Sequence, residues 1–181
     1  MTDIEYRCLT GEEANEVLNE EYIRLYLENY AEKPYLSGPL YSRERFLQRT
    51  GQQVRNDSFI LVSARHGREL AGFAFGFAFG TDRWWGGEAV PAPAELTGSP
   101  RFAVIELNVR ETYRRRGIGR QLLKTLLTQQ DAPYATLLAD PEAPAHAMYQ
   151  RWGWKVVGSV RAAPDSRTYD ALVLDLGQQQ R

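Results

Sequence analysis

The stretch Ile105-Glu-Leu-Asn-Val-Arg-Glu-Thr-Tyr-Arg-Arg-Arg-Gly-Ile-Gly-Arg-Gln-Leu-Leu123 decides the fold. Its first part continues a run over 102–109 rich in β-branched and aromatic residues, which reads as a strand. Its last part repeats Ile118, Leu122, Leu123, Leu126 and Leu127 at helical spacing, which predicts an amphipathic helix. Arg114, Arg115, Arg116 and Arg120 cluster where that helix begins. A helix N-terminus carries partial positive charge and prefers acids, so arginines there make sense only beside something strongly anionic. Gly117 and Gly119 remove side chains where a ligand must approach the backbone, and first-turn N–H groups would point at it. The plain alternative is a solvated basic turn.

Working outward, the first strand is expected over 4–9. A helix is expected from about Gly11 toward Tyr30, with Thr10 and Glu13 as a capping box. A second helix follows from Ser42 to Gly51. Residues 59–64 and 69–80 read as two strands joined through 65–68, with His66 structural. In the second of these, Phe73, Phe75, Phe77 and Phe79 alternate with Gly72, Ala74, Gly76 and Ala78. Period two places the rings on a core face and the small residues on a face that admits a helix or a ligand. Residues 81–100 show no periodicity and hold Trp84, Trp85 and several acids, which suits a cationic ligand; a surface flap or a dimer contact is the other reading. A strand over 134–139, a helix from Asp140 to Arg151, and a closing antiparallel pair over 154–160 and 169–176 complete the chain.

Composition narrows the classes. The 181 residues suit a single domain over 1–181, with the tail 177–181 expected to fray. A net charge of −1 argues against a nucleic-acid partner. The longest apolar run, 71–79, is too short to span a bilayer, and the N-terminal residues lack a hydrophobic signal region, so no membrane association is expected. Cys8 is alone, which excludes an internal disulfide and suits a cytoplasmic setting. With two histidines and one cysteine, no metal site is expected.

Arg114, Gly117 and Gly119, behind a strand ending Leu107-Asn108-Val109, fit Arg/Gln-x-x-Gly-x-Gly/Ala, which resembles the acyl-CoA signature of the GNAT (GCN5-related) N-acetyltransferases. A second block, Glu142-Ala-Pro-Ala-His-Ala-Met-Tyr-Gln-Arg-Trp-Gly-Trp154, resembles the family's Asn-x-x-Ala-x-x-Leu-Tyr-x-x-x-Gly-Phe segment. The resemblance implies an α/β (α+β) fold: a mixed, mostly antiparallel sheet splayed near its middle, with helices on both faces. It implies acetyl-CoA as co-substrate, held by Leu107, Asn108, Val109, Arg114, Arg115, Arg116, Gly117, Ile118, Gly119 and Arg120. The amine acceptor, a small molecule or a peptide, would be acetylated by direct attack in a ternary complex. A non-catalytic acyl-CoA-binding domain is the alternative, and a homodimer is left open.

Glu106 lies mid-strand among apolar residues, where a charge is costly unless used or paired. It matches the family's place for a base acting through water, with an ion pair to an arginine as the other reading. Tyr149 stands where the family has its tyrosine, and a phenol can protonate a leaving thiolate. The resemblance also makes the helices before residue 52 one wall of the acceptor cleft, which implies acceptor contacts from Tyr26, Tyr30 and Tyr35, with packing as the alternative. Glu142 departs from the family's asparagine and cannot donate when ionised. His146 is expected at the surface or rim.

Overall fold

The computed structural model describes residues 3–177; residues 178–181, where a frayed tail was expected, lie outside the described residues. Eight strands form one sheet in the order β1-β2-β3-β5-β6-β8-β7-β4. They are β1 (Ile4–Thr10), β2 (Ile60–His66), β3 (Glu69–Gly80), β4 (Glu88–Ala89), β5 (Arg101–Val109), β6 (Tyr134–Ala139), β7 (Lys155–Arg161) and β8 (Tyr169–Asp175). The α-helices among the described residues are α1 (Glu20–Tyr30), α2 (Arg43–Gln53), α3 (Ile118–Thr128) and α4 (Pro144–Arg151). β1–β2, β2–β3, β6–β8, β7–β8 and β4–β7 pair antiparallel, whereas β5 and β6 run parallel. No helix among the described residues is long and apolar enough to cross a membrane.

The chain divides into two compact units, one of residues 1–77 and 104–130, the other of 78–103 and 131–181. β3 and β5 each run through the division. In the first unit, β1, β2 and β3 form a meander, and Tyr22, Ile23, Leu25 and Tyr26 of α1 are buried. Phe73 and Phe75 are buried, the former edge-on to Tyr22. Gly72, on the opposite face, lies so close that an added Cβ would meet the Asn108 carbonyl at 2.8 Å and Leu122 Cδ1 at 3.0 Å. The small face of β3 therefore admits helix α3, through its buried leucines, and the backbone of β5.

In the second unit, parallel pairing joins Arg101, Phe102 and Ala103 to Tyr134, Ala135 and Thr136. No pairing of β6 with β5 beyond Ala103 is found among the described residues. The segment 81–100, read from sequence as lacking regular structure, contains β4 and a single 3-10 turn at Ala94–Leu96. Its anchors are side chains rather than a repeat. Buried Arg101 donates to the carbonyls of Thr81, Leu96 and Ser99. Trp85 Nε1 donates to Thr136 Oγ1 at 3.0 Å, and Trp84 Nε1 to the Val90 carbonyl at 3.1 Å.

Two helix expectations differ from the structure. The predicted helix from Gly11 is a 3-10 helix, Gly11–Leu18, which breaks at extended Asn19 before α1 begins. Thr10 makes no side-chain cap, and Glu16 accepts instead from the Tyr22 hydroxyl at 2.7 Å. The last helix starts at Pro144, not Asp140. The residue before a proline is pushed out of the helical region, and Ala143 is extended at φ −77°, ψ 140°. Asp140 meanwhile turns its carboxylate onto the Glu142 N–H at 2.9 Å.

Gly87 tests the anchoring of the 81–100 segment. It sits at φ +79°, and a Cβ there would lie 2.3 Å from the Arg161 carbonyl. Gly98 has a similar φ of +73° with nothing near its Cβ. Gly87→Ala should therefore lower stability by about 2 kcal/mol or more, and Gly98→Ala by only about 1 kcal/mol. Thermal melts of the two variants check this, and equal losses would refute it.

Candidate active site

The site in the first unit is built at the C-terminal half of β5. There burial alternates, so that Glu106 and Asn108 are buried while Ile105, Leu107 and Val109 are partly exposed. Glu106 Oε2 accepts from the Tyr30 hydroxyl at 2.8 Å and from Asn108 Nδ2 at 3.1 Å. Among the described residues no arginine forms an ion pair with it. Burial pushes its carboxyl up from the ordinary 4.5 to about 7, even though the Tyr30 bond, the Arg49 charge and the Asn108 bond all pull downward. Burial and the adjacent carboxylate together raise the Tyr30 phenol well above its usual value, so it stays a donor.

Further tyrosines cluster on Tyr30. Tyr30 stacks on Tyr41 with ring centroids 4.4 Å apart, and Tyr26 and Tyr35 pack against it at 4.5 and 4.7 Å. Arg49, on α2, donates to the Tyr26 hydroxyl at 3.0 Å and to the Leu40 carbonyl at 2.7 Å. Tyr30 as a whole is half-buried, its hydroxyl turned inward onto Glu106.

The glycine turn lies in the same unit. Gly117 caps α3 in the left-handed region at φ 78°, ψ 0°, and Arg115 also has a positive φ of 60°. Arg115, Arg116 and Arg120 are exposed, with the Arg116 guanidinium 5.4 Å from the centre of the Tyr113 ring. No side chain caps the first turn of α3, leaving its N–H groups directed outward. A Cβ at position 119 would only touch Val109 Cγ2 at an ordinary 3.5 Å, so internal packing does not require glycine there. These features fit an anionic ligand such as the phosphates of acetyl-CoA.

Arg114 is placed differently from its three neighbours. Its guanidinium grips Glu32 at 2.7 and 2.8 Å, donates to Asn29 Oδ1 at 2.9 Å, and donates through Nε to the Val109 carbonyl at 3.0 Å. Its main-chain N–H goes to the Glu111 carbonyl. Asn29, Glu32 and Arg49 were not singled out in the sequence. Asn29 and Glu32 lie near the end of α1 and in the turn after it, where the local pattern carries no sign of a partner some eighty residues away.

The second unit holds the other expected residues. Tyr149 is buried, its ring edge-on to those of Trp152 and Trp154 at 6.0 Å. His146, expected at the surface or rim, is largely buried with Nε2 2.7 Å from Asp170 Oδ2. Glu142, the departure from the asparagine pattern, is ion-paired with Arg167, which also pairs with Asp140. Trp84 faces the Arg101 guanidinium at 5.8 Å, and Trp85 packs edge-on against Phe79 at 4.9 Å. Both indoles thus hold their own loop.

Comparison with curated proteins finds no match. Among solved structures the fold is similar to an N-acetyltransferase from Thermoplasma acidophilum in complex with coenzyme A. That likeness has a TM-score of 0.60 and 16% identity, covering 96% of this chain and 99% of the other. It is similar as well to Arabidopsis thaliana NAA60 in complex with acetyl-CoA, with a TM-score of 0.63 and 18% identity over 97% of this chain and 99% of the other. An aminoglycoside acetyltransferase from an uncultured soil metagenomic sample, in complex with sisomicin, gives a TM-score of 0.55 and 15% identity over 82% and 86%. The sequence model of the acetyltransferase (GNAT) family matches residues 16–154, spanning both the glycine turn and the Tyr149 block, and the chain belongs to that family.

Proposed function

We propose that the chain is an acetyl-CoA-dependent N-acetyltransferase that acetylates an amine by direct transfer in a ternary complex. The observation that carries this reading is Glu106: a buried carboxyl pushed up to about 7, in the same unit as the glycine turn. A group of that kind is half-ionised near neutrality and basic enough to take a proton from an amine, directly or through water. Acetyl-CoA supplies an activated acyl carbon. The outward N–H groups of α3 and the side chains of Arg115, Arg116 and Arg120 hold its phosphates. The amine nitrogen forms a C–N bond to the thioester carbon as the C–S bond breaks. The amine proton passes to Glu106, and the sulfur takes a proton from Tyr149, whose role rests on its place in the second motif. The acceptor is a small-molecule or peptide amine, the classes held by relatives solved with sisomicin and with a Gag peptide.

Three measurements test the reading. Acetyl-CoA at about 100 times its Kd should stabilise the protein by roughly 2.7 kcal/mol, a rise in Tm of about 5–10 °C. Arg115→Ala with Arg116→Ala should weaken that binding by about tenfold or more. No shift in the wild type would reduce 114–119 to a basic turn.

Glu106→Gln should lower kcat by about a hundredfold and abolish the rise of activity with pH through about 7. The sign in stability is independent of turnover. The folded carboxyl binds its proton more tightly than the unfolded one, so the stability this contributes is full below about 4.5 and lost as pH climbs through about 7. The neutral Gln variant should therefore gain on the wild type by about 1–3 kcal/mol between pH 5 and pH 8.5. A pH-independent difference in Tm would contradict the buried, raised carboxyl.

Tyr149→Phe should cut kcat by about a hundredfold with acetyl-CoA affinity nearly unchanged. Retained kcat would remove Tyr149 from the chemistry.

A further inference from the structure

The first arginine of the glycine turn is bound into the protein rather than presented to a ligand, and where its donors lead is the most informative feature of the first unit. Arg114 Nη2 donates to Asn29 Oδ1 at 2.9 Å, Asn29 Nδ2 to Asn108 Oδ1 at 3.1 Å, and Asn108 Nδ2 to Glu106 Oε2 at 3.1 Å. The direction of this line is dictated by chemistry. A guanidinium only donates, so Asn29 must turn its oxygen to Arg114 and its NH2 to Asn108. Asn108 then has only its NH2 left for Glu106. An isolated amide beside a carboxylic acid can flip and accept the acid's proton; here neither amide can flip without facing like against like.

We infer that Arg114, Asn29 and Asn108 form a one-way hydrogen-bond line that fixes and polarises Glu106, making Arg114 and Asn29 positioning residues for the base rather than phosphate ligands. The inference rests on the reading of Glu106 as the base. Each amide in the line is polarised by its neighbour toward the carboxylate, so the line favours the ionised form. It acts with the Tyr30 hydroxyl on the same oxygen, Oε2, while no described residue hydrogen-bonds Oε1. That leaves one oxygen committed to being held and the other to do the proton transfer.

The charged and titratable groups around Glu106 set what a test must separate. From α1 come Tyr26 and Tyr30; from α2, Arg49; Tyr35 packs on Tyr30 from the connection between them. Behind Asn29, Arg114 is balanced by Glu32, with Arg110 paired to Glu28 on the same helix. Among the described residues Asn29 joins Arg114 to Asn108, and so to Glu106, through hydrogen bonds, and it is itself uncharged. Replacing it by a neutral residue cuts the line without changing any charge.

The experiment is a 13C NMR titration of the Glu106 carboxyl in the full chain, assigned against Glu106→Gln, for wild type, Asn29→Leu and Asn29→Ala. The expected result is an upward shift of the Glu106 midpoint by about half a unit or more in both Asn29 variants. Adding Arg114→Met to Asn29→Leu should move it less than Arg114→Met moves it alone, because the path is already broken. Acetyl-CoA affinity should stay within about twofold of wild type in the Asn29 variants and in Arg114→Met, unlike the Arg115 and Arg116 double variant. An unmoved midpoint in folded Asn29→Leu and Asn29→Ala overturns the line. So does a loss of acetyl-CoA affinity in Arg114→Met as large as in the double variant, which would return Arg114 to the phosphates. Failure of the base reading is seen separately, as full activity of Glu106→Gln with the titration shifts intact.

Discussion

Much of the first unit follows from one expensive arrangement, a carboxyl buried in the middle of a strand. Moving Glu106 from its ordinary range to about 7 corresponds to roughly 3 kcal/mol against the ionised form. Nothing in the formation of β5 requires this, since valine or leucine would pair and pack there at no such cost. The surroundings are arranged so that the penalty is partial. Two donors hold one oxygen, and a cation, Arg49, stands at longer range rather than in contact. A contact ion pair would have pulled the carboxyl back down.

The tyrosines supply the other half of that balance. Four rings, two on α1 and two on the connection to α2, pack at centroid distances of 4.4 to 5.3 Å. They hold one another in place and offer the carboxyl one hydroxyl, that of Tyr30. Phenylalanines would pack as well but remove the Tyr30 hydroxyl and leave Glu106 with Asn108 alone as donor among the described residues. A charged neighbour would give it a donor and undo the burial. Tyrosine is the side chain that does both at once.

The glycines divide into those the fold demands and those it does not. Gly72 is squeezed between the Asn108 carbonyl and Leu122, and Gly117 needs its positive φ to turn the chain into α3. Gly119 meets neither constraint, its only neighbour being Val109 at ordinary contact distance. A glycine with no internal reason, at the open end of a helix flanked by exposed arginines, is a mark of something approaching from outside. This distinction cannot be made from the motif, in which Gly117 and Gly119 look alike.

The periodic signals were legible. Alternation located β3, β-branched and aromatic content located β5, and the leucine spacing located α3, because each packs apolar side chains along its length. Where a single side chain overrides the pattern, reading fails. Glu16 serves Tyr22, and Asn19 breaks a run whose apolar spacing alone suggests one continuous helix. The segment 81–100 looks unstructured since its order comes from Arg101 and two indoles, not from a repeat. The site divides in the same way. Glu106 is conspicuous as a charge in an apolar strand, and the glycine turn by composition. Their partners are not, since Tyr30 and Glu106 are 76 residues apart in sequence and Arg114 and Glu32 are 82 apart. An asparagine near the end of a helix, outside its buried face, has every local reason to be there for solubility. Only when α1 lies beside the end of β5 does Asn29 become the link between an arginine and a carboxylate, and with it the turn arginine is seen to donate into the protein rather than to solvent.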